Sequence, residues 1–185
     1  MAFPAFLDTC VLFSPTLTDT LLRIAEEGAF RPHWSSEVLE ELQSALIDKA
    51  QIPADAARRR IGHMEAAFPE AAVTDYEVLV SAMTCHAKDR HVLAAAAQAH
   101  CEVLVTFNVR DFPVSSTRPH HIETVTPDAF LLDQLDLYPT NVGRALVSQV
   151  LEARRPPTTM NQLLSRLSNA GVPQFAAEVR RHDFD

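Results

Sequence analysis

Four acidic side chains stand where acids need a reason. The stretch Phe6-Leu7-Asp8-Thr9-Cys10-Val11-Leu12-Phe13 sets a carboxylate inside an apolar run. Burying an unpaired carboxylate is costly, so Asp8 calls for a partner, and a ligand, metal or catalytic role is a fair reading. A second apolar run, Val103-Leu104-Val105, leads into Thr106, Asn108 and Asp111. In open α/β sheets ligands bind beyond the carboxyl ends of the strands. Asp8 and Asp111, though distant in sequence, can therefore meet in one crevice. Asp89 opens "KDRHVLAAA" and Glu41 lies in "SSEVLEELQ". Each has a plain alternative. Asp89 suits a helix N-cap, Glu41 a solvated helix charge in competition with Glu37 and Glu40, and Asp111 a loop acid.

The elements that must position these groups follow from periodicity. Ala5–Asp8 reads as a buried strand, so Asp8 is expected to emerge from the core at its carboxyl edge. Glu102–Thr106 is the next clearest strand, and 30–34, 71–74 and 121–125 are shorter candidates. Helical spacing covers 17–27, 36–50, 53–68, 89–100, 128–137 and 141–155. Strands alternating with helices predict an α/β fold with a parallel sheet covered by helices. Pro156 and Pro157 break the pattern. Beyond them Met160, Leu163, Leu164 and Leu167 form one apolar stripe, Gly171 a stop, and Val172, Phe175, Ala176 and Val179 a second stripe. The chain thus divides into a body, 1–155, and a C-terminal helical hairpin, 156–185, which must pack on the body or on a partner.

Composition narrows the classes. The 185 residues are 47% apolar, enough for a core. No apolar run approaches the roughly 20 residues that span a bilayer, and the N-terminus lacks a secretory pattern, so a cytoplasmic protein is expected. Cys10, Cys85 and Cys101 are odd in number and sparse, which fits a reducing compartment better than a disulfide framework. The net charge of −8 is uneven: residues 1–150 carry −9 and residues 151–185 carry +1. An acidic body is not that of a non-specific nucleic-acid binder, but it is compatible with carboxylates that need cations. Four glycines, with no Gly-rich phosphate loop, argue against a P-loop or a dinucleotide site.

The stretches "FLDTCVL", "WSSEVLEEL", "KDRHVLAAA" and "VLVTFNVRDFP" occur in that order. Together they resemble the PIN-domain nucleases, in particular VapC-type toxins of type II toxin–antitoxin pairs, over roughly residues 3–130. The resemblance implies a PIN-like, Rossmann-like fold and an acidic quartet at Asp8, Glu41, Asp89 and Asp111. Thr106 and Asn108 match supporting polar positions, and Ser35 and Thr9 join them. Glu41 is preferred to Glu40 because Leu42 follows it and Ser35 lies six residues before it. Such a quartet implies a metal-dependent endoribonuclease. Clustered carboxylates repel each other unless cations enter, and their oxygens suit Mg²⁺ or Mn²⁺. The resemblance further implies an RNA substrate, a cognate antitoxin protein and a homodimer.

Other signals carry two readings each. Arg58-Arg59-Arg60 is a solvated helix face or an RNA contact, and Arg90 reaches a phosphate or pairs with an acid. Cys85, His86 and His91, near Asp89, read as core or surface groups, lacking the ligand spacing of a soft-metal site. Two rival functions remain. One is a PIN fold that binds RNA or protein without cutting. The other is an aspartyl phosphatase of the haloacid dehalogenase class with Asp8 as nucleophile; it wants an acid two residues on, where this chain has Cys10.

Overall fold

The protein is described by a computed structural model over residues 2–153, 158–182 and 184. In chain order the elements are β1 (Phe3–Leu7), α1 (Thr9–Leu12), α2 (Pro15–Glu26), β2 (Phe30–Ser35), α3 (Ser36–Asp48), α4 (Ala54–Ala67), β3 (Ala72–Val73) and α5 (Glu77–Val80). They continue with α6 (Arg90–Gln98), β4 (Val103–Val105), α7 (Val114–Thr117), β5 (Glu123–Val125), α8 (Pro127–Leu137), α9 (Pro139–Glu152), α10 (Met160–Asn169) and α11 (Pro173–Val179). The chain packs as two compact units, one of Phe3–Phe13 with Arg31–Val125, the other of Ser14–Phe30 with Thr126 to the C-terminus. The boundary expected at 155/156 lies outside the described residues; packing groups α8 and α9 with the helices that follow them.

The first unit holds the α/β sheet, in the order β3-β2-β1-β4-β5. The β1–β4, β2–β3 and β4–β5 pairs run parallel. Ala5, Phe6 and Leu7 are fully buried, and so are Leu104 and Val105, as central parallel strands require. The register decides what happens next. Leu7 lies opposite Val105, and Val105 opposite Val125. The ladder then runs one step further: the Asp8 amide donates to the Val105 carbonyl at 3.1 Å and the Thr106 amide to the Val125 carbonyl at 3.0 Å. Asp8 and Thr106 are therefore side by side at the carboxyl ends of neighbouring strands. Helix α3 begins at Ser35, whose hydroxyl accepts from the Val38 amide at 3.3 Å. It buries Val38, Leu39, Leu42 and Leu46, so the face that carries Glu37 and Glu41 is left for other work. In α6 the alanines 94–96 are all buried, which leaves little bulk between that helix and its neighbours.

The second unit is helical. Ser14 and Pro15 start α2 by a side-chain cap and a fixed φ. From α2, the Thr20 hydroxyl donates to Gln149 Oε1 of α9 at 2.7 Å, and Arg23 donates to Ser148 at 2.9 Å and Glu152 at 2.8 Å. A capping box of Thr159 and Gln162 opens α10. The turn after it uses Gly171 at φ +96°, a conformation that favours glycine. The buried Asp128 of α8 caps α11: its carboxylate accepts from the Gln174 amide at 3.1 Å and the Phe175 amide at 2.8 Å. Leu163, Leu164, Leu167, Val172, Phe175, Ala176 and Val179 are all buried. The expected hairpin thus packs within its own chain, against α8, α9 and α2. No helix among the described residues is long and apolar enough to cross a membrane.

Candidate active site

Asp8 is only 5% exposed, which corrects the expectation that it leaves the core. What offsets the cost is hydrogen bonding. The Thr106 hydroxyl donates to Asp8 Oδ2 at 2.6 Å and the Cys10 thiol donates to the same oxygen at 3.2 Å. The Thr106 oxygen in turn accepts from the Asn108 amide at 3.0 Å, and Cys10 Sγ from the Phe107 amide at 3.3 Å. Burial, then the Asp8 charge, pushes the Cys10 thiol up to about 12. It stays a neutral donor, where an aspartyl phosphatase would present a second acid.

Asp89 reaches the same crevice from the start of α6. It occupies the N-cap position, yet its side chain makes no capping bond. Its Oδ2 is buried and has no hydrogen-bond partner. Desolvation raises its pKa above the ordinary carboxylate value, Lys88 opposes, and the Asp111 and Asp8 charges add to the rise. Asp111 sits on a single 3₁₀ turn, Val109–Asp111, after β4. Its carbonyl accepts from the His86 amide at 3.1 Å, tying it to the loop that leads into Asp89. Lys88 Nζ stands 3.6 Å from Asp111 Oδ2 and 4.0 Å from Asp89 Oδ2.

Glu41 completes the arrangement from α3, and it is Glu41 and not Glu40 that lines the crevice. Its Oε2 accepts from the Thr9 hydroxyl at 2.7 Å, and its Oε1 lies 3.2 Å from His91 Nε2. The buried His91 also faces Glu37, at 3.6 Å from Nδ1. Burial alone would lower the His91 pKa, but the hydrogen bond to Glu41 and the Glu41 and Glu37 charges outweigh it, and the net shift is upward. The His91 hydrogen bond holds the Glu41 carboxyl below its usual range, against desolvation and with help from Thr9. A cavity of about 420 Å³ is bounded by Asp8, Glu41, Asp89, Lys88, Lys49 and Asn108, with Phe13 and Ala45 as an apolar wall.

The remaining sequence candidates divide. Thr9, Thr106 and Asn108 are in the site. Ser35 is fully buried as the α3 cap, so it orients the helix that carries Glu41 without touching the cavity. Arg60 turns inward and donates to the Leu12 carbonyl at 2.5 Å and the Phe13 carbonyl at 3.2 Å, contacts that serve the fold. Arg58 pairs with Asp55 one helical turn away, and Arg59 is exposed. Arg90 Nε is buried without a partner, and Arg90 does not bound the cavity. Sequence reasoning missed two groups. The sequence gives His91 as a core or surface group, yet it lies against Glu37 and Glu41, four residues apart on one helix face. Lys88, adjacent to Asp89, carries no sequence signal that separates it from a solvated charge, yet it faces two acids.

The acids supply only oxygen donors, which suits a hard divalent cation, and the buried Asp89 Oδ2 accepts no hydrogen bond. Among the described residues no three His, Cys, Asp or Glu side chains stand close enough together to hold a metal ion as they are placed. The lysine ammonium beside Asp89 and Asp111 already supplies a positive charge there.

A parallel sheet in this strand order, with acids brought to the strand ends from β1, α3, α6 and the turn after β4, defines a class. The chain belongs to the PIN-domain family, whose model matches residues 4–110. Residues 127–181 match a second model, described as the VapC50 C-terminal domain. Over 106 residues the chain is 46% identical to a Mycobacterium tuberculosis (strain H37Rv) protein named "Putative ribonuclease VapC50". That match covers 57% of this chain and 62% of the relative. No solved structure matches the chain significantly.

Proposed function

We propose that the chain is a divalent-metal-dependent endoribonuclease that hydrolyses RNA phosphodiester bonds, and the toxin of a toxin–antitoxin pair. One observation carries this reading: Asp8, Glu41 and Asp89 border a single cavity, with Asp111 beside Asp89, and Asp89 keeps a buried carboxylate oxygen without a hydrogen bond. Four side chains in this proposal hold Mg²⁺ or Mn²⁺: Asp8, Asp89, Asp111 and Glu41. When bound, the cation polarises the phosphodiester, lowers the pKa of water and stabilises the leaving oxygen. The chain's own work is positional. Thr106 and Cys10 fix one oxygen of Asp8 and leave the other for a ligand. His91 and Thr9 keep Glu41 ionised and pointed into the cavity, where it orients water. The apolar wall of Phe13 and Ala45 gives a nucleotide a dry face. In this proposal attack is by water, with no covalent protein intermediate, and the Cys10 thiol, held neutral, is a donor to Asp8. A cognate antitoxin protein and a homodimer belong to the same proposal.

The test is cleavage of RNA with and without Mg²⁺ or Mn²⁺. Asp8→Asn and Asp89→Asn are each expected to abolish the metal-dependent cleavage. Full activity in both variants refutes the assignment. Binding of RNA without cleavage in any metal supports the non-cutting PIN module instead.

A further inference from the structure

We propose that Lys88 is the resident counter-cation of the metal-free site, and that it passes to a phosphate of the RNA when a divalent cation takes its place. The inference rests on the metal-nuclease reading above. Lys88 follows directly from the placement of its backbone. It sits on the 3₁₀ turn Ala87–Asp89, with the His86 amide bonded to the Asp111 carbonyl and the Asp89 amide to the His86 carbonyl. That turn delivers the ammonium to the two acids it neutralises, 3.6 Å from Asp111 and 4.0 Å from Asp89.

The hold is loose. Neither distance is that of a hydrogen bond, and Asp89 Oδ2 stays without one even though His86 Nδ1 is also within 3.5 Å. The Lys88 side chain is 62% exposed, so the flexible arm can leave without disturbing the core. A divalent cation carries twice the charge and approaches oxygen at about 2.0–2.6 Å, so it wins the acids. The two cations cannot share them, because like charges in one crevice repel. Lys88 lines the same cavity as Asp8 and Glu41. Once displaced, its ammonium meets the one anion that enters there, an RNA phosphate, which a lysine binds as a point charge with three donors. A lysine that guards the acids would thus lower metal affinity and raise RNA affinity. An ordinary solvated lysine does neither.

The experiment uses the full chain and the variants Lys88→Met and Lys88→Arg. Mn²⁺ is titrated without RNA, at constant pH, with melting curves to verify folding. K88M is expected to bind Mn²⁺ about three- to fivefold more tightly than the parent, the size of an exposed ion pair, and K88R to stay close to the parent. In initial-rate cleavage of a single-stranded RNA oligonucleotide at saturating Mn²⁺, K88M is expected to raise KM about threefold and to flatten the salt dependence by about one phosphate contact. Unchanged or weaker Mn²⁺ binding by K88M, with the parent binding normally, overturns this inference alone. A parent that binds no Mn²⁺ overturns the metal reading and this inference with it.

Discussion

Asp89→Asn is expected to make the metal-free protein more stable while removing its activity. The carboxylate is held against its preference: its Oδ2 is buried and unbonded, and desolvation and the Asp111 and Asp8 charges outweigh Lys88. Asparagine keeps a polar atom in that place but not the charge, and an unsatisfied buried charge costs more than a neutral group, by about 1–2 kcal/mol. The ion pair with the exposed Lys88 returns about 0–1 kcal/mol of that. The net gain from removing the charge is then about 1 kcal/mol, or about 2–4 °C in Tm for a chain of this size. The pH dependence fixes the sign independently. A carboxyl whose folded pKa lies above its ordinary value of 3.8 binds more protons folded than unfolded between the two values. Stability therefore falls as pH rises through that window. The advantage of D89N is full at pH 7 and vanishes below the ordinary value. Divalent metal inverts the ranking, since it binds the folded parent and stabilises it by mass action. The assay is thermal melting of both proteins in EDTA at pH 7 and at about pH 3.5, then at pH 7 with millimolar Mn²⁺. A D89N that melts below the parent in EDTA at pH 7 refutes the picture of a strained, cation-seeking carboxylate.

Two further perturbations probe the supports of the site. Thr106→Val removes the donor to a buried Asp8 carboxylate and is expected to cost about 1.5–3 kcal/mol in urea unfolding; a cycle with Asp8→Asn that shows no coupling argues against this bond as the offset for burial. His91→Gln removes a histidine whose pKa is raised on folding, so the parent's advantage is present below pH 6.5 and is lost as pH rises through the folded value; a gap between parent and variant that widens from pH 6 to pH 9 is the wrong sign.

Much of this protein is legible in its sequence. Apolar runs ending in acids give the strands that carry Asp8 and Asp111, and the breaker and stripe pattern after Pro156 gives the C-terminal hairpin. Strands β3, β4 and β5 come out shorter than the runs suggest, because only the residues in ladder register count. Sequence alone also bounds Glu41 to a helix face and Asp89 to a helix start, since periodicity and cap chemistry are local. It leaves three things open, each set by the tertiary structure. Asp8 is buried, and the Leu7–Val105 register, which sets Thr106 beside it, joins the Cys10 thiol in making that tolerable. Glu41, not Glu40, borders the cavity, and His91 and Thr9, on other elements, hold its carboxylate there. Arg60 and Lys88 find partners that the sequence does not show: the arginine from the basic run donates to two backbone carbonyls, and an inconspicuous lysine is delivered between two acids. Residue type fixes which chemistry is available. Which charges meet depends on contacts between segments far apart in the chain, and those exist only once the sheet has set its register.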